Sequence, residues 1–231
     1  MCEATLADLE ERGFVVVPDA VPSAALQVLT TEYMTVMASA SGDDIRHGST
    51  STRVNDFVNR GQAFDGIYTC APLIKACEGL IGRPFKLSSF HARTVHAHAN
   101  AQGLHVDVRR HSSDWPLVGF IVMVDGFTPD NGATRFVPGS HRWESAPEDS
   151  LADVNDAHPD EELACGPAGS LIVFHGSTWH GHTANRSDVP RRSLQGAFIP
   201  RDGRAATDFG ARMEPQTRER LSPLAQYLLG L

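Results

Sequence analysis

A mainly β fold with flanking α-helices, a β-sandwich or jelly roll covered on one side, is what this sequence predicts, and three observations predict it. Between Phe85 and Pro200, short apolar runs alternate with clusters of Gly, Pro, Asn and Asp. Ahead of them, residues 1–84 carry apolar side chains at helical spacing. Beyond them, the stretch from Arg212 to Leu231 returns to an amphipathic helical pattern. Helices followed by a run of strands suit helices laid against one face of antiparallel layers.

The 231 residues suffice for a single domain with a sizeable core, divided into N-terminal helices over about 1–84, a β core over about 85–200 and a helical tail over about 212–231. With 41% hydrophobic and 21% charged residues, the chain has the composition of a globular protein, so disorder should not dominate. A net charge of −8 argues against a general grip on nucleic acid or an anionic membrane. The strongest apolar run, Phe120–Val124, is far shorter than the roughly 20 residues that cross a bilayer. Residues 1–20 hold Glu3, Asp8, Glu10 and Glu11 and lack the pattern of a secretory leader. Cys2, Cys70, Cys77 and Cys165 show no CxxC spacing. The expectation is a cytoplasmic protein, monomer or homodimer, with a small-molecule partner.

Taken in order, residues 3–13 read as a short acidic helix closed by Gly13. The β-branched run Phe14–Val17 then reads as a strand stopped by Pro18. Pro22-Ser23 opens a longer helix with Ala25, Leu26, Leu29, Tyr33, Val36 and Met37 at helical spacing. From Ala40 to Arg60 the pattern weakens, and Arg53, Asn55 and Asn59 among Gly and Ser predict a loop. A further helix runs from Leu73 to Ile81 and ends at Gly82. Strands are predicted over 85–98, 118–125, 133–137, 170–175, 178–183 and 192–199. The acidic segment 144–164 reads as an exposed insertion poor in helix, with 148–162 a solvated face. Leu221–Leu229 reads as a helix docked on the outside of the β layers.

Chemistry enters at His105-Val106-Asp107, placed at the start of a strand after the loop Asn100–Gly103. In extended chain, residues i and i+2 face one side, so an imidazole and a carboxylate converge as two ligands of one metal need. Gly169–Pro200 offers His175, His180 and His182 as a third ligand. Two histidines and a carboxylate on one face of an octahedron suit a non-heme Fe(II) oxygenase, while Zn and Mn accept the same set. Arg191 and Arg192 follow across a turn, and a guanidinium fork fits the far carboxylate of 2-oxoglutarate. Strand parity puts Arg191, Ser193, Gln195, Ala197 and Ile199 on one face and Arg192, Leu194, Gly196 and Phe198 on the other. Parity alone leaves open which face is inward.

Three stretches together resemble the phytanoyl-CoA dioxygenase family of Fe(II)/2-oxoglutarate oxygenases. They are His105-Val106-Asp107; the run Asp130–Trp143, DNGATRFVPGSHRW; and His180–Asn185 with Arg191. The resemblance covers roughly residues 85–200, with a weaker match in the N-terminal helices, and the middle run is its most specific part. It implies a double-stranded β-helix, a cupin-like jelly roll. It further implies Fe(II), 2-oxoglutarate and O₂ as metal, cosubstrate and oxidant, with His105, Asp107 and His180 as metal ligands. Arg191, eleven residues beyond His180, takes the place of the 2-oxoglutarate arginine, with Ser193 assisting it and Thr134 and Gln102 as further cosubstrate contacts. No catalytic residue beyond the metal ligands is implied.

His182 departs from the small residue common at its place, and sharing a strand face with His180 makes it a candidate substrate contact. Arg109, Arg110, His111, Asp114 and Trp115 follow the metal pair and are read as a substrate-facing loop, with Asn55 a further candidate. His141 is expected to close a turn, His175 to sit beside the ligands or in the core, and Trp179 to be core or pocket wall. His91, His96 and His98 lie on the strand before the pair, where ordinary strand roles compete with pocket roles.

The reading is a 2-oxoglutarate-dependent dioxygenase that hydroxylates a small metabolite or natural-product intermediate, releasing succinate and CO₂. Asp107 speaks against halogenation, which needs that ligand position for a halide. A cupin-like isomerase without 2-oxoglutarate would keep the ligands without needing Arg191, and a non-catalytic jelly-roll module would need neither. Desaturation, epimerisation or ring formation would use the same residues as hydroxylation.

Overall fold

The structure is a computed structural model that describes residues 3–112 and 115–231. Its elements in chain order are α1 (Glu3–Arg12), β1 (Phe14–Val17), α2 (Ser23–Ser39), β2 (Ile45–His47), β3 (Ser51–Val54) and α3 (Ala71–Ile81). There follow β4 (Phe85–Val95), β5 (Gln102–His105), β6 (Val118–Met123), β7 (Thr134–Phe136), α4 (Pro147–Ser150) and β8 (Glu162–Ala164). The chain closes with β9 (Leu171–His175), β10 (His180–His182), β11 (Arg191–Pro200), α5 (Phe209–Arg212), α6 (Pro215–Arg220) and α7 (Pro223–Leu229).

All pairings are antiparallel, in a seven-stranded sheet of order β1-β9-β6-β11-β4-β3-β2 and a four-stranded sheet of order β5-β10-β7-β8. The large sheet is apolar on both faces, and side-chain alternation sorts its residues. Val118, Phe120 and Val122 of β6, Leu171 and Val173 of β9, and Leu194 and Phe198 of β11 join one core with Leu29, Tyr33, Leu73, Cys77 and Leu228 of the helices. Ile121, Met123, Ile172 and Phe174 face the other way and pack with Phe136 and Ala164 of the small sheet. Burial on both faces explains why β6 and β9 read as unbroken apolar runs rather than alternating ones.

Gly13 illustrates how tightly the first helix joins the sheet. It ends α1 with φ +80, and a Cβ there would collide with the His141 imidazole and stand 2.6 Å from Thr178 Oγ1. Only glycine fits a left-handed position that close to two side chains.

The predicted helices at 3–13, 23–37, 73–81 and 221–229 are present, as is the jelly-roll class of the β region. Three expectations are corrected. The loop expected over 40–60 contains β2 and β3, which extend the large sheet beside β4; short strands with polar outward residues carry little apolar signal. The strand expected over 85–98 ends at Val95, and His105 lies at the end of β5, not the start of a strand, because β5 pairs backward onto β10. The insertion 144–164 is not featureless: it forms α4 and β8, the latter paired to β7. Cys70, Cys77 and Cys165 are free thiols, while Cys2 and Asp114 lie outside the described residues. No described helix is long and apolar enough to cross a membrane.

Candidate metal and carboxylate site

The two sheets enclose a cavity of about 480 Å³, of the size that takes a small-molecule ligand. His105, Asp107 and His180 meet on its wall, with one ligand atom from each within 4.8 Å of the others. His180 Nε2 lies 3.7 Å from Asp107 Oδ1, and the two imidazole rings are 4.3 Å apart, centre to centre.

Pairing of β10 with β5 sets His180 directly opposite His105. Asp107 has left the strand, and its position comes from the backbone: Asp107 N–H donates to Gly176 O at 2.8 Å, and Ser177 Oγ donates to Val108 O at 2.9 Å. Gly181, between the histidines, is required by the same pairing, since a Cβ there would stand 2.6 Å from Gln102 O. Each ligand histidine spends its Nδ1–H on a backbone carbonyl, His105 on Gly103 O at 3.1 Å and His180 on Thr178 O at 2.8 Å. That fixes the tautomer whose Nε2 lone pair faces the cavity, as metal ligation requires. Burial, with the neighbouring His180, pushes the His105 imidazole down to about 4, so it is neutral and able to ligate.

Arg191 is a buried charged side chain, 2% exposed. Its Nη1 donates to Ser193 Oγ at 3.1 Å and its Nη2 to Gly132 O at 2.9 Å, while the guanidinium lies 4.1 Å from the centre of the Phe127 ring. Its Nε is buried without a hydrogen-bond partner, and no carboxylate of the described residues is ion-paired to it. Burial, then the charge of Arg93, lowers its pKa to about 9. A fully buried guanidinium held this way has the charge and the free donor to receive a carboxylate. Strand parity is thereby resolved: Leu194 and Phe198 enter the helix-side core, while Arg191, Gln195 and Ala197 line the cavity.

Other predicted residues divide. Gln102 and Thr134 line the cavity, and Gln102 Oε1 accepts from Arg93 Nη2 at 3.1 Å. Ser193 is buried, donating to Arg93 O while accepting from Arg191. His182 also lines the cavity; its Nδ1 donates to Thr183 O and its Nε2 is buried without a partner. Asn55 lines an adjoining cavity of about 320 Å³.

Arg109, His111 and Trp115 are not brought to the cavity wall. Arg109 is tied to Glu148 and Asp149 at the surface, at 2.6 Å each, His111 is exposed near Glu144, and Trp115 packs against His175. The loop after Asp107 turns away because Val108 is clamped to Gly176 and Ser177. His175 is buried on β9 and accepts from Ser177 N–H, and His141 donates to Glu10 O, so neither is a ligand. Trp179 is core, its Nε1 donating to Ser145 O. The acidic run is more than a solvated face, since Glu161 pairs at 2.9 Å with buried Arg135.

Sequence reasoning missed Arg53, Arg93 and Gln195 as cavity residues and left His91 undecided. On β4 the signal was present, because Ser89, His91 and Arg93 alternate with Phe90 and Ala92.

The chain matches the phytanoyl-CoA dioxygenase family model over residues 9–193. Dioxygenase trt7 of Aspergillus terreus is 40% identical over 114 residues, a stretch that is 48% of this chain and 36% of that one. Among solved structures, HygX from Streptomyces hygroscopicus with nickel and 2-oxoglutarate bound is similar at TM-score 0.72 and 15% identity, over 89% of each chain. The epimerase SnoN in complex with Fe3+, alpha ketoglutarate and nogalamycin RO is similar at TM-score 0.70 and 18% identity, over 92% of this chain and 90% of that one. At these identities the solved structures establish the shared jelly-roll fold.

Proposed function

This chain belongs to the phytanoyl-CoA dioxygenase family, and from that premise we propose that it is an Fe(II)- and 2-oxoglutarate-dependent oxygenase that hydroxylates a small organic molecule. The carrying observation is the pairing, in one cavity, of a two-histidine, one-carboxylate cluster with a buried guanidinium that no carboxylate of the described residues neutralises.

The residues fit the groups. His105, Asp107 and His180 present a two-nitrogen, one-carboxylate face of the kind that holds Fe(II) with positions to spare. Arg191 would hold the distal carboxylate of 2-oxoglutarate, oriented by Ser193 and Gly132, with Gln102 and Thr134 along the cavity wall. When bound, iron and 2-oxoglutarate supply the oxidising power, drawn from O₂ and the oxidative decarboxylation that gives succinate and CO₂. Burial keeps the His105 imidazole neutral, Arg191 fixes the cosubstrate's orientation, and Ile121, Phe174, Leu117 and Phe120 wall the reacting region. Asp107 fills the ligand position that a halide would need. Similarity to an epimerase leaves the outcome of hydrogen abstraction to product analysis.

The test is anaerobic titration of Fe(II) protein with 2-oxoglutarate. A visible metal-to-ligand charge-transfer band that appears only when both are present is expected; no band with both present rejects the reading.

A further inference from the structure

Arg46, Arg53 and Arg93 stand in register across three adjacent strands. Arg46 of β2 faces Arg53 of β3, and Arg53 faces Arg93 of β4. The next residue in the row is Ser193 of β11, which is hydrogen-bonded to Arg191. Directly opposed residues share a face of the sheet, so this is one ladder of guanidinium groups running from the outer strand to the cosubstrate arginine. Like charges directly opposed destabilise a sheet, and a cation ladder persists only where something else favours it.

No carboxylate of the described residues is in ion-pair contact with it, and Asp107 acts on Arg53 and Arg93 only from a distance. Arg46, Arg53 and Arg93 form no ion pair there. Arg53 donates to His91 Nδ1 at 2.9 Å, and Arg93 donates to Ser51 Oγ and Gln102 Oε1. By contrast, Arg212, which also lines the adjoining cavity, is tied to Asp44 and Asp56. Burial, and after it the charge of Arg53, lowers the pKa of Arg93. Among the described residues lining the main cavity, Asp107 is the sole carboxylate, against Arg53, Arg93 and Arg191.

The charge balance decides the ligand class. A divalent metal contributes two positive charges and 2-oxoglutarate two negative ones, so loading the site leaves the cavity at about +2. Resting on the Fe(II)/2-oxoglutarate reading, we propose that the substrate is an organic anion, a carboxylate or phosphate ester, whose charged group is held by Arg53, where the two cavities join, and by Arg93 beside it in the main cavity. Arg53, His91, Ser89 and Ala206 line both cavities, which places Arg53 at their junction, with Arg93 opposite it in register on the wall of the main cavity. His105, Asp107 and His180, which line the main cavity, would then stand beside the uncharged remainder of the substrate.

Calorimetry on protein loaded with Ni(II), a redox-inert stand-in, and 2-oxoglutarate tests this. Binding of 2-oxoglutarate is measured first; if it does not bind, the cofactor reading fails by itself. Loaded protein is then titrated with benzoate and phenyl phosphate, and with benzamide and benzylamine. The expected result is binding of at least one anion about 10-fold or more tighter than benzamide, and the tighter of the two identifies carboxylate or phosphate. Arg53→Gln should abolish the preference while 2-oxoglutarate affinity holds, Arg53→Lys should keep part of it, and Arg46→Gln should weaken it less than Arg53→Gln. The proposal is overturned if benzamide binds as well as the anions, if neither anion binds, or if Arg53→Gln weakens 2-oxoglutarate instead.

Discussion

His180 and Asp107 approach to 3.7 Å between Nε2 and Oδ1 although they come from different segments, one on β10 and the other in the turn after β5. Backbone contacts on each side hold them there, Thr178 O for the imidazole and Gly176 O for the aspartate N–H. The backbone itself thus sets the pair, the arrangement that a preorganised ligand set would need.

Asp107→Ala and His180→Ala are each expected to lower Fe(II) affinity by more than the ~10- to 100-fold typical of losing a group behind a ligand, with the fold intact. Equilibrium dialysis against Fe(II), beside circular dichroism, checks both parts.

Arg191→Ala should raise the dissociation constant for 2-oxoglutarate by roughly 10- to 100-fold, the size of a charge-assisted hydrogen-bond pair, and leave iron binding nearly unchanged. Iron lost together with 2-oxoglutarate would contradict its assignment. Ser193→Ala should produce the same defect several-fold more weakly, because Arg191 keeps its bond to Gly132 O.

His175 supplies a pH dependence of stability that lies away from the ligands. Burial, then the charges of His141 and Arg110, pushes its pKa down to about 4. The unfolded chain binds this proton near the ordinary value of about 6.5, so the unfolded state carries more protons between those values. Stability from this group is fully present above about pH 6.5 and is lost as pH falls toward 4, by about 1 kcal/mol at pH 5.5. Urea denaturation at pH 7.5 and 5.5 should show that loss in the wild type and a smaller one in His175→Gln.

Glu161→Ala should destabilise the protein by about 3 kcal/mol, since it strands the Arg135 guanidinium, whose side chain is 4% exposed. Arg135 also donates to Asp156 O and Gln102 O, so the acidic segment and β5 should loosen together. Chemical denaturation measures the loss, and Arg135→Met combined with Glu161→Leu should recover part of it.

Gly13→Ala should cost about 2 kcal/mol or more, because it combines a positive φ with a collision against His141 and close approach to Thr178. A shift in the thermal midpoint without change in metal affinity is the expected readout.

What the sequence determined by itself was whatever is local along the chain. The spacing of Leu29, Tyr33 and Val36 defined α2, and the two-residue step from His105 to Asp107 kept both residues near one point, although the contact with Gly176 and not strand alternation sets Asp107 there. The family resemblance singled out His180 and Arg191, two groups that the fold does bring to one cavity. Only the tertiary structure decided the rest. Arg53 sits in a segment that reads as a loop, and becomes a cavity residue because β3 pairs with β4, far along the chain. Which face of β11 turned inward depended on where α2 and α3 packed, not on its own alternation. Arg109 and His111 were carried away from the cavity by the Val108 clamp on Gly176 and Ser177. In each case the deciding free energy is that of a long-range pairing, and such pairings leave little trace in local spacing.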